Sequence, residues 1–256
     1  MKNSQIVDEL IEELGNNQEI VKSFEVKDSL CSDIFKEEDG EFFMHDQIRD
    51  RLMEVTEKFM DYLDIEFFIH DVVLTGSLAN YNWSKYSDVD LHILIDYDET
   101  DYNLDLLKGF FDSKRSLWNR QHEITIKGFD CEIYVQDVKE KHHASGLYSV
   151  LNNSWLVVPE KTIQSINKDL IIKKASNFED DIDDIKSRFD KGEDVTEEIK
   201  SLKIKLKKFR QSGLDSGGEY SYENLAFKLL RRNGYIKKLL DIQTHNADNK
   251  LSITQQ

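Results

Sequence analysis

Two aspartates separated by one residue, Asp88 and Asp90, stand at the head of the run "SDVDLHILID", and ten residues lie between the pair Gly76-Ser77 and the first of them. Alternate side chains of a strand share a face. One face of this run therefore carries Asp88, Asp90 and His92, and the other carries Val89, Leu91, Ile93 and Ile95. The apolar row reads as core-facing. The acidic row sets two carboxylates roughly 6–7 Å apart along the backbone, from a rise of ~3.3 Å per residue. Anions this close raise each other's pKa unless a cation lies between them. Mg²⁺ suits such a place, since it takes oxygen ligands and is often held by a couple of carboxylates with water and substrate phosphates. Two solvated aspartates at the start of an exposed strand would give the same pair.

A later run, "FDCEIYVQ", supplies a third carboxylate. Asp130, Glu132 and Tyr134 share one face of it, and Phe129, Cys131, Ile133 and Val135 share the other. Beside the first strand, Glu132 or Asp130 would complete a cluster able to hold two metals ~3.5–4 Å apart, an arrangement suited to in-line phosphoryl transfer. Glu132 is preferred because it sits deeper in the apolar run, with Asp130 nearer the turn. Gly76 lets backbone approach a phosphate without Cβ obstruction, and the amides after it and the Ser77 hydroxyl can donate to phosphate oxygens. A helix beginning at Ser77 would add its N-terminal amides. His92 looks into the acidic face, as a substrate contact or as an ordinary hydrogen-bonded histidine.

The elements that must position these groups are legible in outline. Apolar spacing predicts an amphipathic helix within residues 1–25 (Ile6, Leu10, Ile11, Leu14) and a second from Ile48 to Leu63, with Leu52, Val55 and Phe59 on its stripe. A turn at "EEDG" separates them. "IEFFIHDVVLTG" reads as a strand ending at Gly76, and Asp101–Trp118 as a helix. "HEITIKGFDCEIYVQD" reads as a hairpin turning at Lys127-Gly128, and "GLYSVLNNSWLVVPE" as another near Asn152-Asn153. After Pro159 three helical segments follow, about 161–190, 194–213 and 220–243, and the tail from His245 has no periodicity. The fold class is α+β. An N-terminal helical segment (1–64) packs on a mixed-sheet core (65–160), which a helical domain (161–244) and a flexible tail (245–256) follow.

Charge and cysteine content narrow the function classes. The formal charge of −16 opposes loose binding to nucleic acid, which needs Lys and Arg to displace counterions. From Lys200 to Leu240, however, eleven Lys and Arg face three Asp and Glu, so a positive segment sits on a strongly negative chain and is a candidate anion site. Lys228, Arg231, Arg232 and Tyr235 recur at helical spacing, with Leu225, Leu229, Ile236 and Leu240 as the opposite apolar stripe. Two cysteines, Cys31 and Cys131, make neither a disulfide framework nor a metal motif. No apolar run reaches membrane length, and no apolar leader follows Met1. These features predict a soluble cytoplasmic protein with no membrane partner.

Taken together, "TGSLANYNW…SDVDLHILID…CEIYVQD" resembles the signature of the DNA polymerase β-like nucleotidyltransferase superfamily: glycine-serine, a helix, aspartate-apolar-aspartate, then an acidic residue on a later strand. The spacing is that of the minimal nucleotidyltransferases, and the motif-bearing part covers about 70–160. In detail the chain looks most like nucleotidyltransferase-like proteins of bacteriophage and bacteria. The resemblance implies transfer of a nucleoside monophosphate from a nucleoside triphosphate, ATP first, to an acceptor hydroxyl, with Mg²⁺ or Mn²⁺ as cofactor. It implies Asp88, Asp90 and Glu132 as catalytic metal ligands and Gly76 and Ser77 as the triphosphate cradle. Glu132 departs from the usual aspartate, which keeps Asp130 as a rival. Basic residues of the helical domain meet the triphosphate in related enzymes, which nominates Lys228 and Arg232, then Arg210. The acceptor, whether a small molecule, a protein or an RNA 3′ end, is not specified. The alternative is a nucleotidyltransferase-like nucleotide-binding or inhibitor module without chemistry. An acidic nucleic-acid mimic fits less well, because the basic segment spoils the pattern.

Overall fold

The computed structural model describes residues 15–253 apart from 101, 141–143, 163 and 164. The chain forms two compact units. Among the described residues, one runs from Val26 to 162, and the other joins 15–25 to those from 165 onward.

The first unit is built on a six-stranded mixed sheet of order β5-β6-β4-β3-β7-β8. Its strands are β3 (Asp71–Thr75), β4 (Val89–Ile95), β5 (Thr125–Ile126), β6 (Phe129–Asp137), β7 (Leu147–Ser149) and β8 (Ser154–Val157). β4 and β6 run parallel and the other neighbours antiparallel. A parallel pair needs a crossover, and here it is made by α3 (Leu104–Gln121), capped by Asn103, whose Oδ1 accepts from the Asp105 and Leu106 amides. Helix α2 (Asp46–Leu63) buries Ile48, Leu52, Val55, Phe59 and Leu63, the stripe its sequence spacing predicts. It joins Leu107, Phe111 and Trp118 of α3 and the rows Val72/Leu74, Val89/Leu91/Ile93/Ile95 and Phe129/Cys131/Ile133 in one core. The opposite face holds a small apolar patch of Val73, Leu94 and Leu147 beside its polar residues.

Both anticipated hairpins form. Lys127 and Gly128 take positive φ (53° and 85°) between β5 and β6, the two-residue turn whose twist matches its strands, and Asn153 (φ 53°) lies in the β7–β8 connection. A third hairpin stands where the sequence reads only as a turn: β1 (Phe35–Glu38) and β2 (Glu41–Met44) join through Asp39 and Gly40, both at positive φ.

In the second unit, residues 15–22 are helical (α1) and accompany α4 (Lys168–Asp190), α5 (Thr196–Gly217), α6 (Tyr222–Arg232) and α7 (Tyr235–Leu251). Ile6, Leu10, Ile11 and Leu14 lie outside the described residues. Residues from Val26 onward group with the sheet core, whereas residues 15–25 group with the C-terminal helices. Asn16 Nδ2 donates to Asn233 Oδ1 at 2.9 Å, Arg232 Nη1 donates to Ser23 Oγ at 2.7 Å, and Lys168 pairs with Glu25 at 2.5 Å. The last predicted helix is two. Gly234 adopts a left-handed φ of 81° and ends the first of them, so the apolar stripe changes phase. Leu225, Ala226, Leu229 and Leu230 are buried before the break and Leu239 and Ile242 after it, which leaves Leu240 45% exposed. The tail expected from His245 is helical to Leu251. Asn246 Nδ2 and Lys250 Nζ both donate to Thr196 Oγ1 at the start of α5. Among the described residues no helix is long and apolar enough to cross a membrane.

Candidate functional site

The acidic face is a product of register. In the parallel ladder Asp90 is the direct partner of Glu132, and Val89 and His92 are the partners of Cys131 and Tyr134. On its other side Asp90 faces Thr75 in the antiparallel ladder with β3. Neighbouring strands lie ~4.8 Å apart, so Asp90 and Glu132 are adjacent carboxylates on the face turned away from the core. Asp88 precedes β4 by one residue and, like Asp90 and Glu132, is half-buried. Asp130, in contrast, is exposed and pairs with Thr125 of β5 at the sheet edge. Of the two candidates for third carboxylate, the ladder sets Glu132 beside Asp90.

Gly76 serves this face differently from the expectation. Its φ is +76°, and a Cβ placed on it would lie 2.0 Å from Asp90 Oδ2 and 3.0 Å from Asp90 Cγ. The space a side chain would fill is taken by the Asp90 carboxylate. A left-handed φ without Cβ is what only glycine supplies at low cost.

No helix begins at Ser77. Residues 76–82 are turns and a bend. Leu78 and Ala79 are drawn into the core, where both are fully buried, and a helix would carry them off that surface. The loop is fastened by polar contacts instead. Ser77 Oγ donates to Ser87 Oγ at 2.7 Å, and the Ser84 amide donates to Ser87 Oγ at 2.9 Å. Trp83 Nε1 donates to the Ser29 carbonyl and the Lys27 amide to the Tyr81 carbonyl. The Ser77 hydroxyl thus ties the loop ends together, and the helix-terminal amides expected as an anion site are not formed there.

The Glu132 carboxylate has one hydrogen-bond partner among the described residues. Tyr134 Oη donates to Glu132 Oε2 at 2.5 Å, two residues along the same face and within the range of strong O–H···O⁻ bonds. The Tyr134 ring is itself held. The His92 ring stacks on it at 4.8 Å and 24°, and the Arg115 guanidinium lies 4.7 Å from its centroid. His92 Nδ1 is 2.8 Å from Gln136 Oε1. Burial first, and then the bond to Glu132, push the Tyr134 hydroxyl above its usual range, which keeps it a donor. Burial likewise raises the Cys131 thiol to about 12, helped by the nearby Asp90 and Glu132 charges.

Arg115 reaches this face because α3 follows the open edge of β6. Asn119, one turn on, accepts from the Ile133 amide (3.2 Å) and donates to the Ile133 carbonyl (3.3 Å), where β5 no longer pairs. Among the described residues Arg115 Nε is buried without a partner, and its Nη2 is 3.4 Å from Asp112. Neither Arg115 nor Gln136 stands out in the sequence. The spacing of Arg115 and Asn119, four apart on one helix, is the signal that could have found them.

Carboxylate oxygens are the right donors for Mg²⁺ or Mn²⁺, and two adjacent ones match what Mg²⁺ commonly takes from a protein when phosphates and water supply the rest. The expected gathering of three carboxylates differs. Among the described residues no group of three or more His, Cys, Asp or Glu stands ready to hold a metal ion. Glu132 turns along its own strand to Tyr134, and Asp130 sits at the edge.

The three basic candidates all lie in the helical unit. Arg232 is bound to Ser23, with its guanidinium 4.7 Å from the Phe24 ring centroid. Arg210 Nε donates to Asn224 Oδ1 at 3.2 Å and its guanidinium lies over Phe227 at 4.6 Å. Lys228 is half-buried, and desolvation, opposed by Glu219, lowers its pKa. No family model, curated protein or solved structure matches the chain.

Proposed function

We propose that the sheet unit is a nucleotidyltransferase of the DNA polymerase β-like type, transferring a nucleoside monophosphate from a triphosphate, ATP first, to an acceptor hydroxyl. The observation that carries this is the ladder pairing of Asp90 with Glu132, one residue from Asp88, with Gly76 opened to admit the Asp90 carboxylate. Two half-buried anions side by side repel, and a divalent cation relieves that cost.

Asp90 and Glu132, with Asp88, would hold Mg²⁺ or Mn²⁺. Bound there, the metal would supply Lewis-acid activation of the acceptor hydroxyl and neutralise charge on the triphosphate. Gly76 keeps the Asp90 carboxylate against the end of β3. The Ser77–Ser87–Ser84 contacts hold the loop through which the chain passes from Gly76 to Asp88. The buried row Val89/Leu91/Ile93 on the opposite face fixes the strand that presents the carboxylates.

A nucleotide-binding module without chemistry is the second reading, favoured by the lack of a ready three-donor group among the described residues. Thermal melts with each nucleoside triphosphate, with and without Mg²⁺ or Mn²⁺, separate the two. The transferase predicts metal-dependent stabilisation that Asp88→Ala/Asp90→Ala abolishes, and label from an α-labelled triphosphate entering a product when host extract is supplied. Stabilisation by nucleotide that ignores metal, with no label transferred from any of the four bases, would establish the module instead.

A further inference from the structure

Resting on the nucleotidyltransferase reading, we infer that Tyr134 is a positioning residue for the third carboxylate: it anchors Glu132 Oε2 and leaves Oε1 as the oxygen offered to the ion. Four observations converge on this. The 2.5 Å bond from Tyr134 Oη is the only hydrogen bond the Glu132 carboxylate makes among the described residues, so nothing else there fixes it by hydrogen bonding. Glu132 is the ladder partner of Asp90, so the way its carboxyl turns decides whether the two carboxylates can share a ligand. The Tyr134 ring cannot swing freely, because His92 stacks on it at 4.8 Å and Arg115 lies 4.7 Å from its centroid. His92 is steadied in turn by Gln136, which follows Tyr134 by two residues on the same face.

A glutamate has one more rotatable bond than an aspartate, and a longer arm needs an outside restraint to give one geometry. Hydrogen-bond partners of metal ligands serve this purpose generally, and losing one typically weakens metal binding 10–100-fold. The longer arm of Glu132 and the Tyr134 hydroxyl two residues later thus act together. Arg115 adds a fixed positive charge over the Tyr134 ring, from a helix that the crossover brings to the β6 edge.

The test is Mn²⁺ binding without turnover, followed by loss of the free-ion electron paramagnetic resonance signal in the absence of nucleotide, which would itself chelate the ion. Tyr134→Phe keeps the ring for His92 and Arg115 and removes only the hydroxyl. Its Mn²⁺ Kd is expected to rise roughly tenfold or more while the melting temperature of the metal-free protein stays at the parent value. Arg115→Met, which loosens the ring and spares the hydroxyl, is expected to raise Kd by a smaller factor. It also serves as the second variant should Tyr134→Phe fold poorly. Unchanged or tighter Mn²⁺ binding in Tyr134→Phe, with binding still abolished by Asp90→Asn, would overturn the positioning role and leave the metal site standing. A parent protein that binds no Mn²⁺ at all would overturn both.

Discussion

The seating of the Asp90 carboxylate against Gly76 makes Gly76→Ala the most informative single change in the sheet unit. Two costs act together. Holding an L-residue at φ +76° costs about 1–2 kcal/mol. The new Cβ would also sit 2.0 Å from Asp90 Oδ2, so the carboxyl must leave its rotamer, at about 0.5–1.5 kcal/mol. The total is about 1.5–3.5 kcal/mol, or a fall in melting temperature of roughly 3–14 °C for a chain of this size. Gly128→Ala supplies the reference for the first cost alone, because Gly128 has φ +85° and a Cβ added there would meet nothing within 4 Å. Asp90→Ala supplies the second. Asp90 Cβ would lie 3.4 Å from the added carbon, an ordinary contact, so truncating Asp90 to alanine leaves the space open. Chemical denaturation of the four members of the Gly76→Ala/Asp90→Ala cycle should give a coupling of about 0.5–1.5 kcal/mol, with Gly76→Ala milder in the Asp90→Ala background. Equal costs in both backgrounds would refute the link between Gly76 and the carboxylate.

Two further outcomes concern the frame around the site. Asn119→Ala removes both side-chain bonds to Ile133 at the open edge of β6 and should cost about 1–3 kcal/mol in urea melts, as expected when buried backbone groups lose their partners; a loss near zero would show that water replaces them. Cys131, with its thiol raised to about 12, should react with a disulfide reagent at pH 8 only at the rate of unfolding. The sign for stability follows: the unfolded thiol ionises near 9 and the folded one near 12, so its contribution is complete below pH 9 and declines between pH 9 and 12. A rate matching that of an exposed thiol at pH 8 would contradict the burial.

Local chemistry carried much of the fold into the sequence. Period-two alternation gave the β4 and β6 faces correctly, and Lys127-Gly128 gave the turn between β5 and β6, because both depend on residues within a few positions. The missed hairpin of β1 and β2 has the same kind of signal in Asp39-Gly40, but its strands are only four residues long and rich in charge. What failed were features settled at long range. The Ser77 segment is not helical because the core claims Leu78 and Ala79. The final helix extends past His245 because Asn246 and Lys250 reach Thr196, some fifty positions earlier. At the site, the candidates Asp90 and Glu132 were legible as strand faces. The restraint on Glu132 was not, since it needs the Tyr134 hydroxyl within bonding range and a helix alongside β6 to bring in Arg115.

Alternation along β4 and β6 divides labour between two mutational histories. Leu91, Ile93 and Ile133 answer to folding, while Asp90, His92, Glu132 and Tyr134 point the other way. Substitutions in the first group should cripple every property at once, whereas losses in the second can accumulate in a lineage that still folds. A descendant of this chain that lost its acidic face would therefore keep its shape, and selection could find another employment for it.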